Sequence, residues 1–197
     1  PEYADSNVST MVYNIKVATP TSSVASSTRN NDFTVTLNTT TPGATLRYTT
    51  DGSNPTVASP LYTGVPINID GTITAGGVAT LKIRGFKTNL VDSDIATYTY
   101  TMKAADPVFN HPTGGPFGIP INTEQLTTTT TGATIAYAFD ADPLVAPTAS
   151  GPSPLTVNPI WWTTTVNAYA YKAGYQNSNT VSRSYTGISV PPGITIP

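Results

Sequence analysis

The sequence of 197 residues contains no cysteine, which excludes disulfides, thiolate metal sites and cysteine nucleophiles together. Histidine occurs once, at His111, inside the loop-like stretch Phe109-Asn110-His111-Pro112-Thr113-Gly114-Gly115-Pro116. No nucleophile-elbow motif accompanies it, so a solvent-facing loop histidine is expected and a Ser-His-Asp triad is not. Charge is scarce too: nine basic against eleven acidic residues, for a formal net charge of -2. That balance excludes the broad positive field that non-specific nucleic-acid binding needs. No run approaches the roughly 20 apolar residues of a membrane helix, and no basic-then-apolar leader opens the chain. A chain that begins at Pro1 is expected to be a processed product or an excised piece. What remains is 38% apolar residues with 15 Gly and 18 Pro as punctuation, enough for globular cores built from short elements.

The sequence repeats itself. Ser6-Asn7-Val8-Ser9-Thr10-Met11-Val12-Tyr13 shares a Ser, an Asn or Asp and a Tyr, at fixed offsets, with Ser93 to Tyr100 and with Ser178 to Tyr185. A large apolar residue stands three positions ahead of each Ser: Tyr3, Leu90 and Tyr175. The intervals are 87 and 85 residues, about the size of a small β-sandwich. Three further markers keep the order. Lys16 to Pro20 recurs as Lys103 to Pro107, Gly43 to Asp51 as Gly132 to Asp140, and Thr80 to Lys87 as Thr165 to Lys172.

The local period is two. In Phe33-Thr34-Val35-Thr36-Leu37 apolar side chains alternate with threonines, Thr45 to Thr50 alternates likewise, and Thr80 to Phe86 places Leu81 and Ile83 on one face. No convincing helix is present. The fold class expected is all-β: two tandem immunoglobulin-like antiparallel β-sandwich modules, at 16–101 and 102–186, with an extra N-terminal strand at 1–15 and a tail at 187–197.

Gly43-Ala44-Thr45-Leu46-Arg47-Tyr48-Thr49-Thr50-Asp51-Gly52-Ser53-Asn54-Pro55 is followed by Leu61-Tyr62, a Leu81 to Phe86 strand and the closing Ser93 to Tyr100 strand. This arrangement resembles the chitobiase/β-hexosaminidase C-terminal domain family. The second module follows the pattern less closely, with Asp140-Ala141-Asp142-Pro143 in place of the Asp-Gly-Ser-Asn-Pro turn. The resemblance implies an immunoglobulin-like β-sandwich that occurs as an accessory or repeated module in bacterial extracellular proteins and carries no catalytic set of its own. Fold is implied more firmly than function.

On the residues themselves no enzyme and no cofactor is expected. The acids lie mostly at turns and strand ends, and nothing selects a glycosidase pair. Asp51 to Asn54 gathers several oxygens, but a turn capped by Asp is preferred to a calcium shell of about six to eight ligands. Asp140 and Asp142 raise the same alternative, and no metal is assigned. Trp161-Trp162 point to opposite faces if they lie on a strand, leaving three roles open: a module or subunit interface, core packing on a bent strand, or a sugar platform.

The segment 1–15 copies a closing strand, yet both modules already have one. A lone strand has unpaired amides, so Val8, Thr10, Met11, Val12 and Tyr13 are expected to pair outside these two modules. The alternation sets Ser9, Met11 and Tyr13 against Val8, Thr10 and Val12, and which face points inward stays open. The expected function is a non-catalytic extracellular or cell-surface structural protein that assembles with copies of itself head to tail by strand addition. The tail is expected to help. The alternative is a carbohydrate-binding accessory module of a secreted glycoside hydrolase, with polysaccharide as partner.

Overall fold

The computed structural model describes residues 7–111, 116–117, 124–141, 143–157 and 164–187. Within them every regular element is a strand. The first repeat holds β1 (Thr21–Ser22), β2 (Ser27–Arg29), β3 (Phe33–Val35), β4 (Leu37–Asn38), β5 (Thr45–Thr49), β6 (Ile67–Ile69), β7 (Val78–Phe86) and β8 (Ala96–Met102). The second holds β9 (Val108–Phe109), β10 (Pro116–Phe117), β11 (Gln125–Thr127), β12 (Thr134–Phe139), β13 (Ala149–Pro152), β14 (Leu155–Thr156), β15 (Thr164–Tyr171) and β16 (Val181–Gly187). The all-β class read from the period-two alternation is the class observed.

Pairing recurs along with the sequence markers. β5 pairs antiparallel with β7 in the register Thr45 to Phe86, and β12 with β15 in the register Thr134 to Tyr171. β1 pairs with β4 as β9 does with β11. β3 pairs with β6 as β11 does with β14. The parallel pair recurs as well: Ser27 lies opposite Tyr100, and Pro116 opposite Thr186. One expected strand is divided. Phe33 to Leu37 splits at Thr36, with β3 joining β6 and β4 joining β1.

The chain forms two compact units: Pro1–Ala25, Thr36–Pro66 and Leu81–Tyr98 in the first, and Ser26–Val35, Ile67–Thr80 and Thr99–Pro197 in the second. These do not coincide with the two repeats. In the first unit Val17, Leu37, Leu46, Leu81 and Ile83 are buried. In the second, Phe109, Leu126, Ile135, Tyr137, Val166 and Tyr185 belong to one core. β15 shows why: Thr164, Val166, Ala168 and Ala170 point inward while the residues between them do not, the alternation of a half-buried strand.

Candidate functional site

The repeated Ser, Asp or Asn, Tyr and Lys markers build one corner twice. The buried Ser93 hydroxyl accepts the Gly85 N–H at 2.8 Å and donates to the Asp94 carbonyl at 2.7 Å. Ser178 accepts the Ala170 N–H at 2.8 Å and donates to the Asn179 carbonyl at 2.8 Å. Lys16 pairs with Asp94, and Lys103 Nζ bonds Asn179 Oδ1 at 2.9 Å. Seven residues after each Ser, Tyr100 and Tyr185 are 0% and 2% exposed. The hydroxyl of Tyr185 lies deep enough that burial, with a hydrogen bond to Glu124, pushes its pKa well above the ordinary tyrosine value.

The third copy of the pattern behaves differently. Residues 7–15 form no strand within this chain, and Tyr13 is 79% exposed where Tyr100 and Tyr185 are buried. Val8, Met11, Val12 and Ile15 are exposed as well, as is Thr10. The segment is nevertheless anchored at its end: the Val91 N–H donates to the Ile15 carbonyl at 2.9 Å, and the Val17 N–H to the Val91 carbonyl at 2.9 Å. The repeat aligns Ser9, Met11, Tyr13 and Ile15 with Ala96, Tyr98, Tyr100 and Met102, of which Tyr100 and Met102 are buried, while Thr97 and Thr99 on the other face are exposed.

The two expected turn acids are bonded differently, Asp51 within its own turn and Asp140 across to the start of β15. Asp51 Oδ1 accepts the Ser53 N–H at 2.9 Å and its hydroxyl at 2.6 Å, and these bonds lower the Asp51 pKa. Asp140, at a positive φ of 50°, accepts the Thr164 hydroxyl at 2.5 Å and the Thr165 N–H at 2.6 Å, which lowers its pKa as well. Among the described residues no group of three or more His, Cys, Asp or Glu side chains could hold a metal ion. Asp142, Trp161, Trp162 and residues 188–197 of the tail lie outside the described residues.

Two polar groups escaped the sequence reading. Glu124 is 0% exposed and bonds His111 Nδ1 at 2.9 Å and the Asn110 N–H at 3.2 Å, so the single histidine is a partner to a buried carboxylate. The signal was present: Glu124 has the same inward parity as Leu126 in Glu124-Gln125-Leu126. Asp32 accepts the Tyr175 hydroxyl and lies 3.1 Å from Lys172 Nζ. That hydroxyl, then Lys172, holds the Asp32 carboxyl below the usual range. Residues 143 positions apart leave no local trace of such a contact.

Residues 24–98 match the family model described as Chitobiase/beta-hexosaminidase C-terminal domain. Gly43 to Pro55, the stretch on which the resemblance rests, lies inside the matched residues. No curated protein matches the chain. Among solved structures, the fibronectin(III)-like modules of Clostridium thermocellum CbhA align at 14% identity over 85% of this chain and 94% of theirs, TM-score 0.31. The BSP domain of a biofilm associated protein aligns at 14% identity over 89% and 30%, TM-score 0.33. The FN1–FN3 domains of chicken CNTN1 align at 12% identity over 88% and 65%, TM-score 0.26.

Proposed function

We propose that this chain is a non-catalytic structural segment of an extracellular or cell-surface protein, in which tandem immunoglobulin-like modules follow one another head to tail. Residues 7–15 add as a strand to the sheet of a neighbouring sandwich, and the modules act as rigid spacers. The observation that carries the reading is the exposed Tyr13, set against its buried counterparts Tyr100 and Tyr185. A tyrosine and four apolar side chains, Val8, Met11, Val12 and Ile15, in water on one anchored segment suit a sheet edge, with backbone groups to match.

Copies of the chain are the partners to test first. Sedimentation and negative-stain imaging of the full chain are expected to show end-to-end species that vanish on deletion of residues 1–15. Assembly that survives the deletion contradicts strand addition. Titration with chitin oligosaccharides is expected to leave tryptophan fluorescence unchanged. Saturable quenching lost in Trp162→Ala would instead establish the accessory sugar-binding role.

A further inference from the structure

Within the second unit, the loop Lys172-Ala173-Gly174-Tyr175-Gln176 is seated on residues of the first repeat. Tyr175 and Lys172 hold Asp32, the Thr74 hydroxyl donates to the Gly174 carbonyl, and Gln176 Nε2 donates to the Gly76 carbonyl at 3.4 Å. The approach is close enough that a Cβ added at Gly174 would run into the Gly71 backbone.

The first repeat carries the same loop. Lys87-Thr88-Asn89-Leu90-Val91 aligns residue for residue with 172–176. The Leu90 N–H bonds the Lys87 carbonyl at 3.1 Å as the Tyr175 N–H bonds Lys172 at 3.0 Å. Asn89 has φ 67° where Gly174 has φ 74°. The surroundings differ at three positions: Lys172 and Gly174 are half-buried and Tyr175 buried, whereas Lys87 and Asn89 are exposed and Leu90 half-buried. Val91 is bonded to Ile15, so the loop is continuous with the end of segment 7–15, whose Met11, Tyr13 and Ile15 are exposed.

We infer that this surface, Met11, Tyr13 and Ile15 with the Lys87–Val91 loop, receives a sandwich of this same repeat whose closing-strand place is vacant. The inference rests on the reading of 7–15 as a donated strand. An intact second copy offers the segment only a sheet edge, because β8 and β16 already stand in the closing positions of its two repeats. A sandwich lacking that strand offers the whole place. Its counterpart of Asp32 sets a carboxylate within reach of Lys87, while Asn89, which carries the Cβ that Gly174 lacks, holds its turn further from the counterpart of Gly71 than the 174 turn stands from Gly71.

The test is a fusion in which residues 16–92 stand directly ahead of Ser6 of the full chain, so that Ser6–Ile15 occupies the place of Ser93–Met102 in the added repeat. Amides 8–15 are expected to exchange hydrogen at least tenfold more slowly in the fusion than in the parent chain. Leu90→Tyr, which recreates the hydroxyl of Tyr175 opposite the added Asp32, is expected to raise the unfolding midpoint of the fusion and leave the parent unchanged. Leu90→Asp is expected to lower the fusion's midpoint more than the parent's. Protected amides with both variants acting equally on fusion and parent would overturn the loop contact and leave the strand reading standing. Amides 8–15 that exchange as fast as in the parent would overturn both.

Discussion

Glu124 and His111 set the residue scale, because a carboxylate with no exposed surface depends on the partners within reach. His111→Ala removes one of them and is expected to destabilise the second unit by about 1–3 kcal/mol, the usual consequence of leaving a buried polar group unsatisfied. Chemical denaturation measures it, and Glu124→Gln, which keeps an acceptor, is expected to cost less. Ser93→Ala and Ser178→Ala each strip a buried backbone N–H of its acceptor, and the same method is expected to return roughly 1–3 kcal/mol for each. Titration gives a check of a different kind. The Tyr175 hydroxyl is the largest cause of the lowered Asp32 pKa, so Tyr175→Phe is expected to return Asp32 towards its ordinary value, read from its carboxyl resonance. A lowered carboxyl pKa adds stability that is present above the unfolded value near 4 and lost as pH falls through the folded one. Tyr185 has the opposite sign. Its raised pKa adds stability that is complete below about pH 10 and lost as pH rises from there.

At the scale of elements, the loop after β7 and the loop after β15 share a backbone turn but differ in its central residue. Gly174→Ala meets both a positive φ and the Gly71 backbone, and thermal unfolding is expected to show a loss of more than about 1 kcal/mol. Asn89→Gly relieves the same φ at an exposed position and is expected to be neutral or slightly stabilising. Strand existence was legible in the sequence because apolar and polar residues alternate through Phe33 to Leu37 and Thr45 to Thr50, and Leu81 and Ile83 share one face of Thr80 to Phe86. The break at Thr36 was not, since the alternation of Phe33, Val35 and Leu37 runs straight through the point where the chain changes ladders. The corner markers were visible as recurring letters, while their task of holding a backbone amide and a lysine became clear only from the hydrogen bonds. The Asp32 contact with Tyr175 was hidden for a third reason: it is made across 143 residues, and no local pattern requires it.

At the scale of the whole molecule, marker order and strand pairing repeat together, while the two compact units do not follow the repeat boundaries. The segment before Lys16 is the one copy of the closing pattern that forms no strand among the described residues. If it is a true closing strand, it will serve in a place where such a strand is known to fold. Replacing Ser93–Met102 by Ser6–Ile15 changes Asp94→Asn, Ile95→Val, Ala96→Ser, Tyr98→Met, Thr99→Val, Thr101→Asn and Met102→Ile, and keeps Ser93, Thr97 and Tyr100. Of the inward positions, Tyr100 is kept and Met102→Ile exchanges one apolar side chain for another of similar size, a swap that cores tolerate, while Ala96→Ser adds a hydroxyl and Tyr98→Met removes the one that accepts the Ser22 N–H at 3.0 Å. Equilibrium unfolding of this transplanted chain tests the central claim most directly. A cooperative transition within about 2 kcal/mol of the parent is the result predicted. Loss of cooperative unfolding would contradict it.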